Sequence, residues 1–228
     1  MNPPAVLHFS PAGFDAVIAL GGSLPDAGFF ALIGAAALFA ADGGALGLAA
    51  LGIAPDAVIG DFDALTREHR SRPLFSRTAF ITDENQELND LEKAARHALG
   101  AGKRRLLFCG FQGGDLDHTL NNWSVLMKLA AEGGAALCVY DNGRYAVPVS
   151  GSVQVQLNEG EIVSLIPQPA ARLTTCGLQW ALNNEELRLG VREGARNRAV
   201  SDEISLELHS GSLLLCFDAR LPFAPVFG

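Results

Sequence analysis

The chain concentrates its potential chemistry in aspartates. Asp61 and Asp63 stand one residue apart in Asp56-Ala57-Val58-Ile59-Gly60-Asp61-Phe62-Asp63, directly after a short run of small and β-branched residues. Two carboxylates at i and i+2 repel each other unless a cation sits between them. Paired acids just beyond a buried strand are a natural seat for Mg2+, a hard ion that takes oxygen ligands and often brings phosphates with it. An Asp-x-Asp pair is also at home in a solvated loop, so the elements that present it must decide.

Those elements alternate. Short apolar strands are expected over 16–20, 36–41, 57–59, 79–82, 106–109 and 136–140, and helices over 29–35, 45–51, 88–99 and 117–131. In the helix over 88–99, Asp90 lies in the first turn, where the helix dipole favours a carboxylate, and Lys93 shares its face. The pattern predicts an α/β domain over 1–141, a mostly parallel sheet with helices on both faces. Gly21-Gly22-Ser23, Asp42-Gly43-Gly44, Asp61 to Asp63, the polar stretch running to Asp90, and the glycine loop from Gly110 to His118 each follow a strand. In a parallel sheet such loops emerge together at the carboxyl edge, where ligands bind. Distant acids are thereby gathered at one rim. After Asn142-Gly143 helical periodicity ends and short alternating runs follow, at 153–157, 162–166, 178–182, 204–208 and 213–217. They predict an all-β domain over 142–228, a small sandwich or barrel.

Composition bounds the partners. Of 228 residues, 49% are hydrophobic and 18% charged, which supports a large core and argues against disorder. A net charge of −8 excludes a general nucleic-acid binder, and Lys103-Arg104-Arg105 reads as a solvated entry to a strand. The apolar run over 27–41 is too short and glycine-interrupted to cross a membrane. Residues 1–10 lack the pattern of a signal peptide. Cys109, Cys138, Cys176 and Cys216 are far apart in apolar stretches and are expected to be buried reduced thiols, as suits a cytoplasmic protein.

Four motifs in order, Ala41-Asp42-Gly43-Gly44, Gly60-Asp61-Phe62-Asp63, Asn89-Asp90-Leu91-Glu92-Lys93-Ala94 and Gly113-Gly114-Asp115-Leu116-Asp117-His118, resemble those of thiamine pyrophosphokinases. Gly177-Leu178-Gln179-Trp180-Ala181-Leu182-Asn183-Asn184 is similar to the signature of their β domain. The resemblance implies an α/β domain followed by a β domain, a homodimer with sites between subunits, and transfer of the pyrophosphoryl group of ATP to the hydroxyl of thiamine with Mg2+. It implies Asp61, Asp63 and Asp90 as metal-binding and catalytic residues. Asp42, Gly43, Gly44, Gly113, Gly114, Asp117 and His118 match the nucleotide-side loops, and Gln86 and Asn197 match residues near thiamine. The chain departs from the family pattern at Asp115, usually Arg, at Asn89, usually Thr, and at Arg196, usually Ser. Arg196 or Lys93 is the candidate to replace the missing cation. The alternatives are the same transfer to another alcohol, such as a hydroxymethyl-pterin, and a non-catalytic nucleotide or thiamine sensor.

Several residues carry a plainer expectation. His118 either contacts phosphate or ribose or simply helps to start a helix, and Asp117 is a nucleotide residue or an N-cap. Lys93 reads as a solvated helix charge, and Trp180 as a core residue of an alternating strand rather than a stacking surface. Asn121 and Asn122 either line the nucleotide site or sit on the helix surface.

Overall fold

The structure, a computed structural model, describes residues 4–34 and 36–228. The last residue of the helix expected over 29–35, and the first three of the chain, lie outside the described residues. The chain divides into two compact units, Ala12–Asn142 and a second that combines Gly143–Gly228 with the N-terminal segment. The first strand, β1 (Ala5–Ser10), therefore does not belong to the α/β unit, where the sequence reading put it. Its partners come from the far end of the chain, and such long-range pairing leaves no local mark in a sequence.

The α/β unit is built on six parallel strands: β2 (Ala16–Ala19), β3 (Ala37–Ala41), β4 (Ala57–Gly60), β5 (Ala79–Thr82), β6 (Arg105–Cys109) and β7 (Ala136–Asp141). Their order across the sheet is β7-β6-β2-β3-β4-β5. From β2 the chain steps outward to β5 on one side, then returns to β6 and β7 on the other. The order reverses between β2 and β6, the position where open α/β sheets hold their ligands. β2 and β4 are buried at every residue, as expected of strands covered on both faces.

Among the described residues, five α-helices and a 3-10 turn at Pro73–Phe75 connect these strands. In α1 (Ala27–Ile33), the Asp26 carboxylate accepts the Phe29 N–H at 3.1 Å. The short α2 (Gly44–Ala50) packs Ala45 and Leu48 inward, and α3 (Arg67–Arg70) is a single turn that the sequence reading did not anticipate. Asn89 caps α4 (Asp90–Gly100), its side-chain oxygen accepting the Glu92 N–H at 2.9 Å. In α5 (Leu116–Glu132) the buried residues are Val125, Leu126 and Leu129, all in its second half. No helix among the described residues is long and apolar enough to cross a membrane.

The β unit comprises β1 with β8 (Arg144–Val149), β9 (Val153–Gln156), β10 (Ile162–Cys176), β11 (Glu185–Arg188), β12 (Gly194–Arg198), β13 (Glu203–Asp218) and β14 (Ala224–Phe227). The long antiparallel pair β10–β13 is its spine, with register shifts between Pro167 and Ala171 and between Arg172 and Leu173. Such bulges bend a strand without ending it. The two runs expected at 204–208 and 213–217 are thus one strand, and the run at 162–166 is the first third of another. The run at 178–182 is not a strand; within it only Leu178 bridges, to Ala199. Of the four thiols, Cys109 and Cys138 are buried, Cys216 is half-buried, and Cys176 is exposed, contrary to expectation. Position 176 ends β10 on its outward face.

Candidate active site

At the carboxyl ends of β2 to β6 the chain leaves a cavity of about 410 Å³. Its lining includes Gly21, Asp42, Gly43, Asp61, Gln86, Asn89, Asp90, Lys93, His118, Asn121 and Asn122. These residues come from loops or helix starts that follow five different elements.

Asp42 directly follows β3 in a left-handed conformation, φ 33°, unusual outside glycine and tolerated by Asp. Its side chain points inward, and the residue is 4% exposed. Oδ2 accepts the Ala64 N–H at 3.2 Å. Oδ1 is buried and has no hydrogen-bond partner among the described residues. Burial pushes this carboxyl above its ordinary range, against the Ala64 hydrogen bond, and the nearby charges of Asp90, Asp61 and Asp63 add to the rise.

Asp61 and Asp63 flank Phe62, which is also left-handed, φ 65°. The Phe62 ring turns away against Phe80 and beneath the Arg70 guanidinium, 5.1 Å from its centroid. That anchor leaves the two acids on a tight turn, with the Asp63 N–H donating to Asp61 Oδ1 at 3.4 Å. Gln86 donates to Asp61 Oδ2 at 3.2 Å. Burial raises the Asp61 carboxyl, but the Asp63 N–H, Gln86 and Lys93 outweigh it and hold it below its ordinary range.

Asp90 and Lys93 come from the first turn of α4. The Lys93 side chain is 2% exposed, and its Nζ lies 3.4 Å from Asp61 Oδ2 and 3.8 Å from Asp90 Oδ1. Burial pushes the Asp90 carboxyl upward; Lys93 and His118 oppose this, and Asp61 reinforces it. The reading of Lys93 as a solvated charge is overturned. Leu91, Glu92, Ala94 and Ala95 are buried with it, so this turn of α4 is enclosed all round. The two adjacent alanines are the signal for close packing, and a lysine beside them needs an internal partner.

Two cross-links fix α4 against α5. Asn89 Nδ2 donates to Asn122 Oδ1 at 2.9 Å, so both Asn121 and Asn122 belong to the cavity wall rather than the outer surface. Deeper along the helices, buried Glu92 accepts from Lys128 at 2.8 Å and from Arg96 at 2.7 Å, and Arg96 also reaches Glu132. Together they set Asp90 opposite His118.

The remaining candidates fall elsewhere. Asp63 is exposed and outside the lining, although its charge reaches Asp42. Gly44 is a packing residue: a Cβ there would lie 2.2 Å from the Ala19 carbonyl oxygen, so α2 could not start so close to β2. Gly113, φ 94°, abuts Ser23, and a Cβ would meet Ser23 Oγ at 2.0 Å; Gly114 has open space around it. The loops after β2 and β6 are in fact paired, with Gly22 N–H donating to the Gly110 carbonyl at 2.9 Å and Ser23 N–H to that of Gln112 at 2.6 Å. Asp115 holds the N-cap position of α5 without a side-chain cap, so Asp117 is not the cap and instead accepts the His118 N–H at 2.9 Å. Asp115, Asp117 and His118 bring ligand atoms within 4.8 Å of one another, all exposed.

In the β unit, Asn197 is buried and both ends of its amide are engaged. It accepts the Trp180 and Arg198 N–H groups at 3.1 and 2.8 Å and donates to the Trp180 carbonyl at 2.8 Å. Trp180 itself is 59% exposed, not the core residue expected, because its segment is irregular rather than a strand. It borders a smaller hollow with Leu187, Arg192 and Glu193.

The larger cavity gathers the carboxylates of Asp42, Asp61 and Asp90, oxygen donors of the kind a hard divalent cation takes, one of them buried with a lone pair unmet; among the described residues it is Asp115, Asp117 and His118, not these three, whose ligand atoms already lie within 4.8 Å of one another. Comparison with known proteins gives the family. Residues 32–138 match the model described as thiamin pyrophosphokinase, catalytic domain, and residues 152–213 that of thiamin pyrophosphokinase, vitamin B1 binding domain. The chain belongs to the thiamin pyrophosphokinase family. A thiamine pyrophosphokinase of Arabidopsis thaliana is 28% identical over 175 residues, covering 70% of this chain. The chain spans only 64% of that plant relative's length. The thiamine pyrophosphokinase of Bacillus subtilis is 25% identical, covering 76% of this chain and 83% of the relative. Among solved structures, that of thiamine pyrophosphokinase from Bacillus subtilis superposes with a TM-score of 0.73 at 22% identity, over 90% of this chain and 100% of the other. Thiamin pyrophosphokinase from Candida albicans gives 0.77 at 13% identity, over 96% and 95% of the two chains. The fold of these structures extends over 90% and 96% of this chain respectively.

Proposed function

We propose that the chain is an ATP- and Mg2+-dependent thiamine diphosphokinase. The hydroxyl oxygen of thiamine bonds to the β-phosphorus of ATP. The bond from that phosphorus to the α–β bridging oxygen breaks, AMP departs, and the hydroxyl proton passes to a carboxylate or to water. The observation that carries this reading is the meeting of Asp42, Asp61, Asp90 and Lys93 in one cavity at the carboxyl edge, in a chain of this family.

Each residue has a role in the proposal. Asp61 and Asp90 would hold the metal, with Asp42 as a further oxygen donor whose unmet lone pair supports the assignment; Asp63, exposed outside the lining, would join them only if its side chain turned toward the cavity. Bound Mg2+ neutralises the polyphosphate and the charge that develops on the leaving oxygen. Asp42, Gly43, Gly44, Gly113, Gly114, Asp117 and His118 form the nucleotide side; of these, Gly44 and Gly113 act by letting loops pack closely. Gln86 orients Asp61 and faces the acceptor. Asn197 fixes the backbone of exposed Trp180, whose ring offers a stacking surface to an aromatic cation such as thiamine. The proposal takes the working form to be a homodimer in the cytoplasm, a setting that four free thiols suit.

The test is turnover. Purified protein with Mg-ATP and thiamine should yield AMP and thiamine diphosphate in equal amounts. Asp61→Asn should lower kcat/KM by at least about a hundredfold, the scale of a lost metal ligand. Full activity in that variant would overturn the metal assignment. Product from a hydroxymethyl-pterin but not from thiamine would move the acceptor, and binding without any AMP would make the protein a sensor.

A further inference from the structure

Lys93 is the only lysine or arginine among the described residues that lines the cavity. Its ammonium lies between carboxylates of two different elements, the loop after β4 and the first turn of α4. The contacts are long. At 3.4 and 3.8 Å they exceed those of Lys128, whose Nζ holds Glu92 at 2.8 and 3.0 Å in the same helix pair. Charge-assisted hydrogen bonds that are fully made are short. The Lys93 ammonium is thus shared between two acids and committed to neither. It also lies within 4 Å of both carboxylates that a divalent ion would take.

We propose that Lys93 is a positioning residue that serves as the resident cation of this site. In the metal-free protein it holds Asp61 and Asp90 together against their repulsion. When a divalent ion takes over the two carboxylates, the ammonium turns to a phosphate oxygen of the nucleotide. This inference rests on the metal–nucleotide reading above. Its consequence is linkage: the metal frees the donor that the nucleotide needs, so the two ligands bind cooperatively, while either alone binds against an unfavourable charge.

The experiment follows Mn2+ by electron paramagnetic resonance, alone and with a non-hydrolysable ATP analogue, using the full chain. Lys93→Met keeps the length of the side chain and removes its charge. Free Mn2+ should bind this variant about tenfold more tightly, because a like charge beside the ion is gone. The analogue, with Mn2+ present, should bind about tenfold or more weakly, and Lys93→Arg should recover part of both changes. A merely structural lysine would give weaker Mn2+ binding or none of these shifts, and either result overturns the proposal. Should Lys93→Met not fold, the wild type still decides, because the chain has only three lysines, Lys93, Lys103 and Lys128. With 15N-lysine, Mg2+ should move the Lys93 side-chain signal and the analogue should move it again, with Lys103 unchanged. A Lys93 signal that ignores the analogue overturns the inference. Wild-type protein that binds no Mn2+ at all sinks the metal reading itself, whereas binding that Lys93→Met leaves unaltered sinks this inference alone.

Discussion

Glu161 in the β unit and Asp42 in the α/β unit are both buried carboxylates, and they are met differently. In the β unit, Glu161 is held on every side. Oε1 accepts the Asp218 N–H at 2.8 Å, Oε2 accepts the Asn158 N–H at 3.0 Å, and the Arg220 guanidinium closes on Oε2. In the α/β unit, Asp42 keeps a buried oxygen that has no partner among the described residues, while the half-exposed Asp90 makes a long contact to a lysine shared with Asp61. A satisfied buried acid fixes structure, whereas an unsatisfied one stores a demand that a ligand can meet. Burial of charge alone does not mark a site; the unmet part of its hydrogen bonding does.

The sharpest way to break that contrast is Asp42→Asn. Asparagine tolerates the left-handed backbone of position 42 and can still accept the Ala64 N–H, so the fold loses little. It also relieves the repulsion from Asp90, Asp61 and Asp63. The expected outcome is a fall of about 10²-fold or more in kcat/KM, with stability unchanged or higher by about 1 kcal/mol. Calorimetry beside steady-state kinetics reads both. A variant that loses stability and keeps activity would place Asp42 with Glu161 among the structural acids.

Glu161→Ala is the converse. It strands the Arg220 guanidinium and two backbone N–H groups, those of Asn158 and Asp218. A loss of about 2–3 kcal/mol is expected in denaturant unfolding, moderated because Arg220 keeps some access to solvent. Mn2+ binding at the α/β cavity should not change. A weaker Mn2+ affinity in this variant would show that the satisfied pair does more than hold its own unit together.

How far the sequence foretold this contrast depends on the range of the interaction involved. Alternating strands and helices placed Asp42, Asp61, Asp90 and His118 at one rim, because strand direction in a parallel sheet fixes where every following loop emerges. Lys93 was hidden by its type: a lysine on an amphipathic helix reads as solvated, and only the closeness of α4 to the acid loops shows otherwise. β10 and β13 were read as fragments because Pro167, Pro169 and Gly211 punctuate them, and a bulge can absorb those residues only when a partner strand is there to pair across it. The pairing of β1 with β9 and β14 had no local signal at all. Trp180 sits among alternating neighbours that read as core, yet the Asn197 amide holds its backbone outside any strand.

The smallest expected effect refines the comparison within α4 itself. Glu92 is two residues from Asp90, but it is fully met by Lys128 and Arg96. Burial pushes its carboxyl up, and those two cations outweigh burial and hold it below its ordinary value of 4.5. A depressed carboxyl adds stability that is complete above the ordinary value and is lost as pH falls through the folded one. Asp42 and Asp90 are raised, burial being the main cause, so protonating them in the absence of metal stabilises the fold as pH falls. The two kinds of acid therefore tilt the acid limb in opposite directions. Glu92→Gln should cost about 1–2 kcal/mol at neutral pH and should flatten the loss of stability below about pH 4.5, so that variant and wild type converge in acid. Thermal melts from pH 3 to pH 7 in chelator, on the order of one reading per half unit, resolve the convergence. Parallel curves for the two proteins would mean that Glu92 is not the satisfied counterpart of Asp90, and that α4 owes its position to the Asn89–Asn122 contact instead.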